Sequence, residues 1–198
     1  NLHEVPASIS NEEAVFVEPL AAASEILDQA RIPAGAEVAV LGDGKLGLLA
    51  AQALNAERLN VHLYGRHKEN LRIADRAGVK TALERKKLPE AAYDWIVEAT
   101  GSPDGLDEAI RMARPRGTVF MKSTIHQATR LDAAPVIVNE ITLIGSRCGR
   151  FEPALELLRS QRVRVADMIS DSMPLSQARR AFTRAARRGV LKVLLRGE

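Results

Sequence analysis

The strongest chemical signal in the chain is the run Gly42-Asp43-Gly44-Lys45-Leu46-Gly47, a G-x-G-x-x-G. It stands directly after a short apolar run, Glu37 to Leu41, and opens a stretch with helical periodicity, Leu46 to Asn55. That context gives the pattern its physical meaning. Gly42 permits a tight turn, Gly44 lets a pyrophosphate approach the backbone, and Gly47 lets the helix pack closely on the strand. The first N–H groups of the helix and its positive dipole end then face the phosphates. Asp43, Lys45 and Leu46 complete the turn and are expected to line the same ligand.

The second apolar run, Asn60 to Tyr64, ends on Gly65-Arg66-His67. A site that prefers NAD places an acid at this strand end to accept from the adenosine ribose hydroxyls. Here the strand end carries a glycine that makes room, then an arginine and a histidine. Such donors suit a 2′-phosphate, so NADP is expected, with NAD the alternative. His67 would assist mainly when protonated, which strengthens the preference at lower pH. Tyr64 and Lys68 also spell Y-x-x-x-K, but they lie at the adenosine end and are read as a coincidence.

These residues need a scaffold, and the pattern of apolar runs predicts one. Strands are expected at Glu37 to Leu41, Asn60 to Tyr64, Val79 to Ala82, Asp94 to Ala99, Thr118 to Met121 and Ile141 to Ile144. Helices are expected at Leu46 to Asn55, Lys68 to Ala77 and Gly105 to Ala113. This alternation is the signature of βαβ units in a parallel sheet. Continuous apolar strands fit a sheet covered on both faces. The fold class is therefore α/β, a doubly wound parallel sheet of the Rossmann type.

Two helices precede it. Ser10 and Glu13 spell a capping box for one around Glu12 to Phe16. A longer one runs from Pro19, with Leu20, Ala23, Ile26 and Leu27 on one face. After the sheet come a helix at Phe151 to Ser160, a loop at Asp167 to Pro174, a helix at Leu175 to Arg187 and a strand at Val190 to Leu195.

Composition narrows the function classes. The chain has 198 residues, 46% of them hydrophobic, and a formal net charge of +3 with acids and bases interspersed. That describes a globular protein with a sizeable core, not a polybasic arm. The arginines of the tail, among them Arg159, Arg162, Arg164, Arg179, Arg180, Arg184, Arg187 and Arg188, lie without interleaved aromatics. They read as a solvated face, and no nucleic-acid partner is expected. No apolar run approaches the roughly 20 residues of a membrane span. The single cysteine, Cys148, excludes an internal disulfide and suits a reducing, cytoplasmic setting. The first residue is Asn1, so the chain is expected to belong to a longer product.

Further motifs flank the turn: Val17-Glu18-Pro19-Leu20-Ala21, Glu98-Ala99-Thr100-Gly101, Lys122-Ser123-Thr124, Ile144-Gly145-Ser146-Arg147-Cys148-Gly149 and Leu191-Lys192-Val193-Leu194-Leu195. In this order and spacing the chain resembles the medium-chain, zinc-dependent alcohol dehydrogenase superfamily. The resemblance is closest to its polyol, glucose and threonine dehydrogenase branch and spans essentially the whole sequence. It implies three parts. Residues 1–21 would be a remnant of a GroES-like catalytic domain, 22–146 the dinucleotide-binding domain, and 147–198 a returning segment of the catalytic domain.

The resemblance also implies roles. Glu18 matches a carboxylate that ligates the catalytic zinc in the polyol branch. Thr100 and Gly101 would touch the cofactor at the strand ends. Ser123 and Thr124 would neighbour the nicotinamide as catalytic residues, with Ser146 and Arg147 close by. Lys192 matches a basic position that reaches the pyrophosphate. His3, His62, His67 and His126 are scattered, so zinc is expected in the full-length parent and not in this chain alone.

The parent would oxidise a hydroxyl of an alcohol, polyol or sugar by hydride transfer to NAD(P). The relatives' dimers imply a homo-oligomer through the edge strand 141–144. Three other readings remain: a zinc-free quinone or enoyl reductase of the same superfamily, a non-catalytic NADPH-binding regulatory module, and a methyltransferase of Rossmann form. The last would also want an acid at the second strand end.

Overall fold

A computed structural model describes residues 2–83, 88–125 and 131–197. His126 lies outside the described residues. The chain opens on α1 (Asn11–Ala14), α2 (Val17–Ser24) and α3 (Ile26–Gln29). The Ser10 hydroxyl and Glu13 carboxylate form the reciprocal capping box of α1. The helix expected to run from Pro19 past Leu27 is instead two helices parted at Glu25. Ser24 Oγ donates to the carbonyl of Leu20 at 2.9 Å, a side-chain bond that competes with the backbone ladder where the first helix ends.

The sheet follows as β1 (Glu37–Leu41), α4 (Lys45–Ala56), β2 (Asn60–Gly65), α5 (Lys68–Arg76), β3 (Lys80–Leu83), β4 (Tyr93–Glu98), α6 (Gly105–Met112) and β5 (Ala113–Met121). Then come α7 (Ala134–Val138) and β6 (Thr142–Gly145). All neighbouring strands are parallel, in the order β3-β2-β1-β4-β5-β6. The order reverses between β1 and β4, which opens a crevice at their C-terminal ends.

Alternate residues of β1 serve two cores. Val38 and Val40 pack with Leu63, Val97 and Phe120 against α2, α4 and α8 (Phe151–Arg159). Ala39 and Leu41 pack with Ile96, Val119, Ile110 and Met112 under α6. Both faces are buried, which is why the strand reads as continuously apolar. Tyr64 belongs to the second face, its hydroxyl 2.7 Å from that of Tyr93. β5 begins at Ala113, earlier than the expected Thr118, and its register against β4 shifts between Tyr93 and Trp95. That irregularity accommodates Pro115 and the left-handed Arg116 (φ 68°).

The tail departs from expectation twice. The helix expected at Leu175 to Arg187 is a 3-10 turn at Leu175–Gln177 followed by an α-helix over Ala178–Ala185. Residues Asp167 to Pro174, expected as a loop, include β7 (Ile169–Pro174), which pairs in parallel with β8 (Lys192–Arg196) after α9 (Ala178–Ala185). Arg162 binds Glu57 at 2.9 Å, and the Arg164 N–H donates to Gln52 Oε1, tying this tail to α4. No helix among the described residues is long and apolar enough to cross a membrane.

Candidate functional site

Two clefts open at the C-terminal ends of the strands, and Lys45 lines both. The first, about 340 Å³, is walled by the glycine turn, Arg66, His67, Asn70, Thr100, Ser102 and the turn at Arg188 and Gly189. The second, about 410 Å³, lies beside Glu18, Leu46, Lys122, Thr124, Ser146, Arg147, Cys148 and Lys192.

The glycine turn is built as its spacing predicts. Gly42 has φ 111°, and a Cβ there would lie 2.4 Å from the carbonyl oxygen of Ala99. A Cβ at Gly47 would lie 1.9 Å from the carbonyl oxygen of Gly42. Gly44, the N-cap of α4, has open space where its Cβ would be. Two glycines therefore close the turn and the third leaves a bare surface above the helix N-terminus. A pyrophosphate fits that surface.

The end of β2 departs from the sequence reading. No acid directly follows the strand in sequence, but the turn delivers one. The Asp43 carboxylate accepts from the backbone N–H of His67 at 2.6 Å and lies 3.0 Å from its Nδ1. Asn70 Nδ2 donates to the Asp43 carbonyl at 2.9 Å. A Cβ on Gly65 would fall 2.4 Å from Asp43 Cβ. The glycine thus makes room for Asp43, not only for a ligand. Asp43 is 5% exposed, and its charge is committed to His67, the N-cap of α5. Arg66 stays half-exposed, 3.9 Å from Glu108.

After β4, Glu98 organises the next loop. Its buried Oε1 accepts from the Thr100 N–H (2.8 Å), Thr100 Oγ1 (2.6 Å) and Ser123 Oγ (2.8 Å). Ser123 Oγ in turn accepts from the N–H of Gly101 at 2.8 Å, where φ is 65°. Thr100 and Gly101 are thereby locked at the mouth of the crevice. Ser123 is saturated within this network, whereas Thr124 lines the second cleft.

Lys122 joins three parts of the chain. Its Nζ donates to the carbonyl of Ala22 on α2 (2.5 Å), to Ser146 Oγ (2.9 Å) and, at 3.5 Å, to the carbonyl of Arg147. Burial pushes its ammonium down to about 8, opposed by the charges of Glu25 and Cys148. Lys192 Nζ donates to the carbonyl of Val15 and lies 4.8 Å from the Phe16 ring centroid. Burial, reinforced by the charge of Lys45, lowers its pKa, and Glu18 counters this. Glu18 itself is exposed in the first turn of α2. No three His, Cys, Asp or Glu side chains converge among the described residues.

Glu98, Lys122 and Arg188 line or brace the clefts although their place in the sequence motifs assigns them no site role. The first two carried a usable signal: each is a charge placed directly after an apolar run, Ile96-Val97 and Val119-Phe120-Met121, that is buried but for Met121. Such a charge is expensive unless partnered, and each is partnered at the crevice.

The chain belongs to the zinc-binding dehydrogenase family, whose model matches residues 46–160. It is similar to a sorbitol dehydrogenase of Halalkalibacterium halodurans, at 25% identity over 98% of this chain and 62% of that protein. It is also similar to a probable D-xylulose reductase A of Aspergillus clavatus, at 26% identity over 98% and 60%. The chain thus spans about 60% of the length of the curated relatives it matches. Among solved structures, a zinc-binding dehydrogenase of Sinorhizobium meliloti bound to NADP superposes with a TM-score of 0.87 at 24% identity, covering 98% of this chain and 61% of that one. That likeness concerns the fold.

Proposed function

We propose that this chain is the cofactor-binding part of an NAD(P)-dependent dehydrogenase that acts on a hydroxyl of an alcohol, polyol or sugar. The observation that carries the reading is the glycine turn: closed at Gly42 and Gly47, bare at Gly44, and set on the N-terminus of α4 at the point where strand order reverses. The sorbitol and xylulose relatives support the substrate class. When bound, the nicotinamide accepts or returns the hydride. The residues of this chain bind and orient the cofactor. Backbone N–H groups of α4 take the pyrophosphate, the Glu98–Thr100–Ser123 network fixes the loop beneath it, and Arg66 and His67 flank the adenosine ribose. Thr124, Ser146 and Arg147 border the second cleft, where the nicotinamide would lie, and Ser123 braces it from behind.

NADP is the preferred cofactor in this reading. The Asp43 carboxylate accepts from the His67 N–H and is buried beneath the strand end, which leaves Arg66 and His67 as the groups offered to a 2′-phosphate. Glu18 would be this chain's contribution to a zinc site completed by residues of a longer protein. The division into 1–21, 22–146 and 147–198 belongs to the same proposal. So does assembly into a homo-oligomer in the cytoplasm: β6 is an unguarded sheet edge, and Ile137 and Val138 beside it are exposed.

Calorimetric titration of NADP+ and NAD+ into the purified chain tests the central reading. Binding is expected, tighter for NADP+, without substrate-dependent NADPH production by the chain alone. Failure to bind either cofactor overturns the proposal. Light scattering that shows a monomer at every concentration overturns the oligomer.

A further inference from the structure

Arg188 was grouped with the solvated arginines of the tail, yet it lines the first cleft together with Gly44, Lys45, Arg66 and His67. It arrives from a different part of the chain. The turn between α9 and β8 bends at Gly189 (φ 80°). That turn is fixed from both sides: the Val190 N–H donates to the carbonyl of Arg187, and the Leu191 N–H donates to Ser170 Oγ on β7 at 2.9 Å. Arg188 itself is exposed and has no hydrogen-bond or ion-pair partner among the described residues.

The charge lining this cleft is one-sided. Lys45, Arg66 and Arg188 face it, and the one acid in its wall, Asp43, is buried against His67. An arginine held without a carboxylate, in a cleft whose exposed charges are positive, is the arrangement that selects an anion with several acceptor oxygens. A guanidinium matches a phosphate with two parallel N–H bonds.

We propose that Arg188 is a phosphate-binding residue of the dinucleotide cleft, gripping the cofactor from the returning C-terminal segment while the glycine turn and Arg66 hold it from the sheet. The inference rests on the reading of this cleft as a dinucleotide site. The ligand chemistry is a phosphate, which a dinucleotide presents either as the shared pyrophosphate or as the 2′-phosphate of NADP.

Titration of NADP+, NAD+, adenosine 2′,5′-bisphosphate and AMP into wild type, Arg188→Ala and Arg188→Lys tests it, with thermal melting as the folding control. Arg188→Ala is expected to weaken binding about tenfold or more, with Arg188→Lys intermediate and melting unchanged. A loss confined to NADP+ and the 2′,5′-bisphosphate assigns Arg188 to the 2′-phosphate. An equal loss for NAD+ and NADP+ assigns it to the pyrophosphate. Either supports the proposal. If wild type binds the dinucleotides and Arg188→Ala binds all four ligands within twofold of wild type, the proposal is overturned and the dinucleotide reading stands. If wild type binds none of them, that reading fails and the role of Arg188 fails with it.

Discussion

The two clefts share Lys45 but differ in what their polar groups are already doing. Around the first, Asp43, Asn70 and Thr100 are engaged within the wall, but three groups are unspent: bare backbone at Gly44, Lys45 at the start of α4, and Arg188 without a partner among the described residues. Around the second, Lys122 is saturated by Ala22, Ser146 and Arg147, Lys192 is turned to Val15, and Glu18 has no convergent ligands among the described residues. Polar groups consumed in holding a wall together are not available to a ligand. In the proposed reading the first cleft would therefore bind its ligand with groups of its own. The lysines of the second are engaged in holding its wall together.

The comparison breaks most visibly at Gly47. Gly47→Val would force a side chain into the carbonyl of Gly42. It should lower stability by about 1–3 kcal/mol and abolish dinucleotide binding, read by chemical denaturation and calorimetry. Survival of both would mean that the turn is not the cradle. Next comes Arg66→Asp. One charge-assisted contact is worth roughly 1.5–3 kcal/mol, so NADP+ affinity should fall about tenfold to a hundredfold while NAD+ is unchanged or improved. Equal affinity of wild type for both cofactors would reduce Arg66 to a surface arginine.

Gly44→Ala sharpens the contrast from the other side. Space is open for the methyl group in the protein, and φ is −75°, so melting should not move. The methyl group would stand where a pyrophosphate packs, and a loss of about tenfold, 1.4 kcal/mol, is expected for both cofactors. Unchanged affinity would place the phosphates elsewhere.

The smallest effect belongs to the second cleft. The Lys122 ammonium is held at about 8 by burial, below its ordinary 10.5. Between those values the unfolded chain binds more protons than the native one, so native stability rises with pH across that window. The unfolding free energy of wild type minus that of Lys122→Met should climb from pH 8 to pH 10 and stay flat below pH 7. A difference that is flat throughout would show that Lys122 is not buried as described.

The sheet was legible because its physics is periodic. Strands buried on both faces must be continuously apolar, and helices between them must show a stripe, so β1 through β6 stand within a few residues of expectation. The glycine turn was legible for the same local reason. What escaped depends on partners distant in sequence. β7, Ile-Ser-Asp-Ser-Met-Pro, has little apolar character and becomes a strand because β8 lies beside it. The break between α2 and α3 falls at Glu25, next to the Ser24–Leu20 bond, without any proline or glycine there. Lys122 reaches a carbonyl 100 residues earlier in the chain, and no spacing rule announces that.

The packing of Asp43 under Gly65 has a consequence for how this chain could change over time. The volume that a side chain at position 65 would occupy is already filled by the Asp43 carboxylate. A mutation that installs an acid at position 65 to favour NAD collides with Asp43. One that trims Asp43 first leaves the N–H of His67 without its acceptor. Each step is costly alone, and only the pair together restores a packed strand end. The two positions should therefore behave as an epistatic unit: Gly65→Asp should be tolerated in an Asp43→Gly background and rejected in the native one, so that an acid at position 65 is not reached by a single substitution.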